Sequence, residues 1–111
     1  MLFRSNGSPV NSLPTIQANA VSSIVVNGGD GPNTIDLSLL TSAKLTLNPS
    51  ISVDGKHGDD IINGTINLNE TLKGDDGNDL ISGSSGVDSI DGGNGDDTIS
   101  GGSGKIGRAH V

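Results

Sequence analysis

From Gly55 onward, single aliphatic residues return at a fixed interval within a chain of glycine, aspartate and asparagine: Ile62, Leu72, Ile81, Ile90 and Ile99, ten residues apart once and nine thereafter. A spacing of nine, with polar residues between, fits neither the 3.6-residue stripe of a helix nor a long alternating strand. It predicts a repeated unit in which a turn is followed by a short strand of about three residues with one apolar side chain directed inward. Upstream, residues 37–53 (LSLLTSAKLTLNPSISV) lack glycine and alternate as strands do, notably at Lys44–Leu47 and Ile51–Val53. Residues 1–23 show no period and read as a linker or the end of a preceding module, and no helix is predicted anywhere.

The polar positions repeat as strictly as the apolar ones. Residues 74–100 divide into GDDGNDLIS, GSSGVDSID and GGNGDDTIS, which share Gly at position 1 (Gly74, Gly83, Gly92), Gly at position 4 (Gly77, Gly86, Gly95), Asp at position 6 (Asp79, Asp88, Asp97) and Ile at position 8. GKHGDDIIN from Gly55 keeps Gly58, Asp60 and Ile62. After what reads as one extra residue, Gly64, the segment TINLNETLK puts Glu70 and Leu72 in the acid and apolar columns. GGDGPNTID from Gly28 carries Asn33 in place of the acid, 27 residues before Asp60. A further unit begins as GGSGK at Gly101, but Ile106 stands where its acid belongs.

These patterns divide the chain into a linker (1–23), degenerate β-rich repeats (24–54), a regular repeat block (55–105) and a tail, 106–111. The tail, IGRAHV, breaks composition and period and resembles a translated sequencing adapter, so it is expected to carry no function and the chain to be a piece of a longer one.

Composition decides how such units hold together. Two of them make one coil, and stacked coils give parallel sheets around a core one aliphatic residue deep. With 31% hydrophobic residues, no Trp or Tyr and only Phe3, that core is too thin to be expected to order the chain unaided. Between Gly74 and Gly104 there are seven Asp and no Lys or Arg, so stacking in register places carboxylate upon carboxylate unless cations lie between. The net charge of −7 argues against nucleic acid and anionic lipid and for cations as partners. No apolar run is long enough for a membrane span. Oxygen donors, without imidazole or thiolate in the repeating columns, select Ca²⁺ over Mg²⁺ or Zn²⁺.

The unit Gly92-Gly93-Asn94-Gly95-Asp96-Asp97-Thr98-Ile99-Ser100 resembles the RTX repeat of hemolysin-type calcium-binding proteins, a family of glycine- and aspartate-rich nonapeptides. The resemblance covers residues 55–104 well and 28–54 poorly. It implies an all-β fold, a right-handed parallel β-roll or β-solenoid with two short-strand sheets and a partly irregular N-terminal region. It also implies a secreted, extracellular protein exported with an address at the far C-terminus. Carried over by position, loops two units apart share an edge. One Ca²⁺ is then expected between Gly74–Asp79 and Gly92–Asp97, held by side-chain oxygens of Asp79 and Asp97, with turn carbonyls from both loops completing the shell and Gly74, Asp76, Gly77, Gly92, Asn94 and Gly95 counted in the site. A second is expected between Asp60 and Asp79, its register open to disturbance by Gly64. On the other edge Asp88 lacks a downstream acid and meets only Glu70, so that edge is expected to be incompletely metallated.

Other readings of these residues are weaker. His57, with no second His or Cys near it, reads as a surface residue. Asp75-Asp76 and Asp96-Asp97 recur with the repeat and lie in turns, unlike a catalytic carboxylate pair in a cleft. No acidic cluster meets the spacing of an EF-hand. No nucleophile, base and oxyanion set is recognisable, so this stretch is not expected to be an enzyme. The expected function is calcium binding that drives folding of a structural module in a secreted bacterial protein. The alternatives are a surface or adhesin scaffold stiffened by calcium and a low-complexity linker that never folds, the latter disfavoured by the regular Ile column. Open solenoid ends invite self-association.

Overall fold

The computed structural model describes residues 2–4, 21–40, 49–103 and 105–110, of which 2–4 and 105–110 are described as backbone strands alone. The strand expected at Lys44–Leu47 and most of the 1–23 linker lie outside these residues. The described residues contain only strands and turns: β1 (Leu2–Arg4), β2 (Ser23–Asp30), β3 (Thr34–Asp36), β4 (Ser50–His57), β5 (Ile61–Asn63), β6 (Glu70–Asp76), β7 (Leu80–Ser82), β8 (Val87–Asn94), β9 (Thr98–Ser100) and β10 (Lys105–His110). None of them forms a helix able to cross a membrane.

The strands alternate between two all-parallel sheets, ordered β1-β2-β4-β6-β8-β10 and β3-β5-β7-β9. Each coil contributes one strand to each sheet, which is the winding expected of two nonapeptides per turn. Partners one coil apart are separated by 27 residues at Asn33 and Asp60, 19 at Asp60 and Asp79, and 18 at Asp79 and Asp97. Regular units therefore set an 18-residue coil, and the degenerate segment is one coil with a longer excursion. Strands β2, β3 and β4 join the same two sheets as the strands of the regular repeats.

The inward side chains stack in columns because parallel in-register pairing repeats every position of a coil directly above itself. One sheet supplies Val26, Val53, Leu72 and Ile90, the other Ile35, Ile62, Ile81 and the partly buried Ile99. The expected aliphatic positions 62, 72, 81 and 90 are at most 1% exposed. The structure adds Val21, Ile24, Leu37, Leu40, Ile51 and Leu68 to this core.

Two details differ from the nonapeptide pattern. The strands of the second sheet have three residues each, whereas β4, β6 and β8 of the first have seven or eight and run on through the first glycines of the loop. They can do so because the residue after that glycine is left-handed: Lys56, Asp75 and Gly93 face one another in the ladder at φ of 82°, 77° and 90°, a conformation only glycine adopts without strain. The second detail is the tail. Lys105–His110 pairs in parallel with β8, with a register shift between Ile106 and Arg108, so departure from the repeat does not end the sheet.

Candidate metal centre

At each loop the chain passes from one sheet to the other, and the position-6 residue turns its side chain inward. On the edge expected to bind two ions, Asn33, Asp60, Asp79 and Asp97 form one column. Backbone N–H groups tie them together: Asn33 N–H donates to Asp60 Oδ1 at 2.8 Å, Asp60 N–H to Asp79 Oδ1 at 2.8 Å, and Asp79 N–H to Asp97 Oδ1 at 2.9 Å. Asp60 and Asp79 are thus as well aligned as Asp79 and Asp97, and Gly64 does not disturb them.

On the other edge Glu70 N–H donates to Asp88 Oδ1 at 3.2 Å. Gly64, read from sequence as an extra residue, takes the place of a first glycine. Its N–H donates to the Ser82 carbonyl as Gly83 N–H donates to that of Ser100, and Glu70 sits against it as Asp88 sits against Gly83. The true insertion lies inside the loop, between Gly64 and Leu68, whose carbonyl is stacked beside Gly86.

One carboxylate oxygen per acid is thereby accounted for. The other, Oδ2 of Asp60, Asp79, Asp88 and Asp97 and Oε2 of Glu70, is buried with no hydrogen-bond partner. Buried anionic oxygens without partners are costly, and a native fold satisfies them with donors or cations. Asp54 also has such an oxygen, but its other oxygen is held by Lys56 Nζ at 2.6 Å.

The orphan oxygens converge with backbone carbonyls. A Cβ on Gly74 would collide with Asp79 Oδ2 and stand 2.6 Å from the Gly92 carbonyl oxygen, and one on Gly55 would collide with Asp60 Oδ2 and stand 2.9 Å from that of Gly74. Gly55 and Gly74 therefore each face a carboxylate oxygen of their own loop and a carbonyl oxygen of the next coil. No three Asp, Glu or His side chains meet at one point among the described residues. A cation here would accordingly take much of its shell from carbonyls, which suits Ca²⁺ and not Zn²⁺. The donor set fits the ion that the repeat implies.

Burial raises these acids above the ordinary carboxylate range. It pushes Asp79 up to about 6, against the hydrogen bond from Asp60 N–H and with help from the charges of Asp60 and Asp97. It pushes Glu70 up to about 7, against hydrogen bonding from Thr65. Burial likewise raises Asp60 and Asp88.

The remaining residues singled out from sequence divide in two. Gly77 and Gly95 mark where coils approach closely, since a Cβ on either would collide with the carbonyl of Gly58 or Gly77 on the coil before. The side chains of Asp76 and Asn94 stand outside the column. They are exposed and bonded to each other, Asn94 Nδ2 donating to Asp76 Oδ1 at 2.8 Å, and their carbonyls accept from Gly58 and Gly77 N–H. His57 lies in the same exposed row, its Nδ1 3.0 Å from Asp30 and its Nε2 3.4 Å from Asp76. Sequence reasoning missed Asn33 as a working member of the column. Its Nδ2 donates to the carbonyls of Gly29 and Gly31 and to Asp60 Oδ1 at 3.1, 2.7 and 3.2 Å; its offset of three nine-residue units from Asp60 pointed to the opposite edge, and only the longer coil brings the two together.

No curated protein and no solved structure matches the chain. Residues 73–105 match the family described as RTX calcium-binding nonapeptide repeat (4 copies). That segment contains the acids Asp79, Asp88 and Asp97 and the first glycines Gly74, Gly83 and Gly92, so this part of the two columns lies in a stretch similar to RTX calcium-binding repeats.

Proposed function

We propose that calcium binding between the coils drives folding of this segment, and that it serves as a structural module of a secreted bacterial protein with no chemistry of its own. The observation that carries this reading is the set of buried, unpartnered carboxylate oxygens at Asp60, Asp79, Asp88 and Asp97. Left ionised and without a cation they oppose the fold, and a cation between coils would reverse the sign of that contribution. Asp60, Asp79 and Asp97 would hold ions along one edge with the carbonyls of Gly74 and Gly92. The ion would supply charge neutralisation and cross-linking of successive coils. A chain of this composition, with few large apolar residues and high negative charge, is of the kind that stays disordered until a ligand offsets the ordering entropy. Low intracellular and high extracellular calcium would then place folding after export, as the repeat family's typical secretion suggests.

The test is far-UV circular dichroism of the chain during titration with Ca²⁺ to about 10 mM, a range spanning the roughly 10⁻⁴–10⁻³ M affinities of extracellular modules, with Mg²⁺ as control. A calcium-specific gain of β signal, lost in Asp79→Ala/Asp97→Ala, is expected. A full β signal in chelator at neutral pH would refute calcium-driven folding.

A further inference from the structure

We propose that the edge formed by Gly64–Glu70 and Gly83–Asp88 holds a calcium ion of its own, with Glu70 as a carboxylate ligand. This rests on the calcium reading above and extends it to a loop that lies outside the matched repeats and fails the nonapeptide pattern. The loop has Glu for Asp, one residue too many, and no glycine at the second or fourth position of its unit.

The structure nevertheless gives that loop the same oxygen arrangement as its regular neighbours. Glu70 is 4% exposed, and its Oε2 is buried with no partner while Oε1 accepts from Thr65 N–H. A Cβ on Gly64 would collide with Glu70 Oε2 and stand 3.1 Å from the Gly83 carbonyl oxygen. This is the pairing of own-loop carboxylate and next-coil carbonyl found at Gly55 and Gly74. The added residue is taken up between Gly64 and Leu68, so Glu70 keeps register with Asp88 and its carboxylate still meets its own first glycine. Two more buried oxygens without a hydrogen-bond partner lie on the same edge. The Thr65 hydroxyl is wholly buried beside the Glu70 carboxyl, and Asp88, tied to Glu70 N–H, has its own orphan Oδ2 against Gly83. Carboxylate, carbonyl and hydroxyl oxygens in an irregular loop suit a hard cation tolerant of uneven geometry, which is Ca²⁺ rather than Mg²⁺.

Equilibrium dialysis against calcium, counting ions per chain at saturation, tests the assignment on wild type, Glu70→Gln and Asp79→Asn. Glutamine is chosen because an amide can donate to a loop carbonyl, as Asn33 does, so the coil can close without an ion. Glu70→Gln is expected to bind one ion fewer than wild type with an unchanged calcium-saturated dichroism spectrum. Should it not fold, Glu70→Asp decides: it keeps the charge but withdraws the oxygen, and at least a tenfold loss of affinity at one site is expected. An unchanged count in Glu70→Gln, or an unchanged isotherm in Glu70→Asp, beside a lowered count in Asp79→Asn overturns the Glu70 site and leaves calcium binding elsewhere standing. No uptake by wild type overturns both.

Discussion

The two halves of this solenoid share one backbone design and close it differently. In the N-terminal coils the inward position at one edge is Ile24 and then Ile51, and in the next coils the same register passes to Glu70 and on to Asp88. On the other edge the column begins with Asn33 and continues as Asp60, Asp79 and Asp97. Aliphatic carbon and an amide thus stand where the later coils have carboxylates. The Asn33 amide nitrogen donates to the Gly29 and Gly31 carbonyls, doing with hydrogen bonds what a cation would do for such oxygens. The described inward positions of the first coil therefore carry no acid, whereas the later ones leave buried anionic oxygens unsatisfied. A parallel roll does not need ions for its geometry. On the proposed reading, ions enter where its inward positions are acids.

That contrast can be attacked directly. Gly74→Ala should have the severest effect, because the added Cβ meets both Asp79 Oδ2 and the Gly92 carbonyl; calcium-induced β signal should be abolished, while Gly31→Ala, with open space at its Cβ but φ of +88°, should cost only backbone strain. Leu72→Ala, at the fully buried centre of the column, should lower the stability of the calcium-loaded form by about 2–5 kcal/mol in chemical denaturation.

Acidity offers a milder substitute for the ion. Asp79 and Glu70 are raised from 3.8 and 4.5 to about 6 and about 7, so the calcium-free fold binds more protons than the unfolded chain between those limits. Its stability is fully present below the ordinary carboxylate range and drains away as pH rises through about 6 and 7. In chelator, β signal should therefore grow as pH falls from 8 to 4; loss of signal on acidification would contradict the desolvated acids.

Asn33→Asp should convert the neutral coil into a charged one, raising the calcium count by one and making the N-terminal coil depend on the ion. Stability in chelator should fall and that in calcium should not. His57→Ala should change least, leaving calcium affinity and melting temperature as they are, since the imidazole and its partners Asp30 and Asp76 are largely solvent-exposed.

The repeat by itself determined a good deal. Period nine placed Ile62, Leu72, Ile81 and Ile90 in the core and Asp60, Asp79 and Asp97 in one column, because parallel in-register stacking turns sequence period directly into spatial neighbourhood. It could not tell that Gly64 is a first glycine and that the inserted residue lies after it, since a one-residue insertion is assigned only when neighbouring coils show which residue stays in register. It did not place the side chains of Asp76 and Asn94 in their exposed row, because the direction of a side chain in a turn depends on how far the ladder continues through the glycines. It gave no sign that Ile24 and Ile51 precede Glu70 in one column, because the nonapeptide pattern is absent there and only pairing across the sheet aligns them. Local period dictates which residues repeat, and contacts between coils decide which oxygens are left without partners.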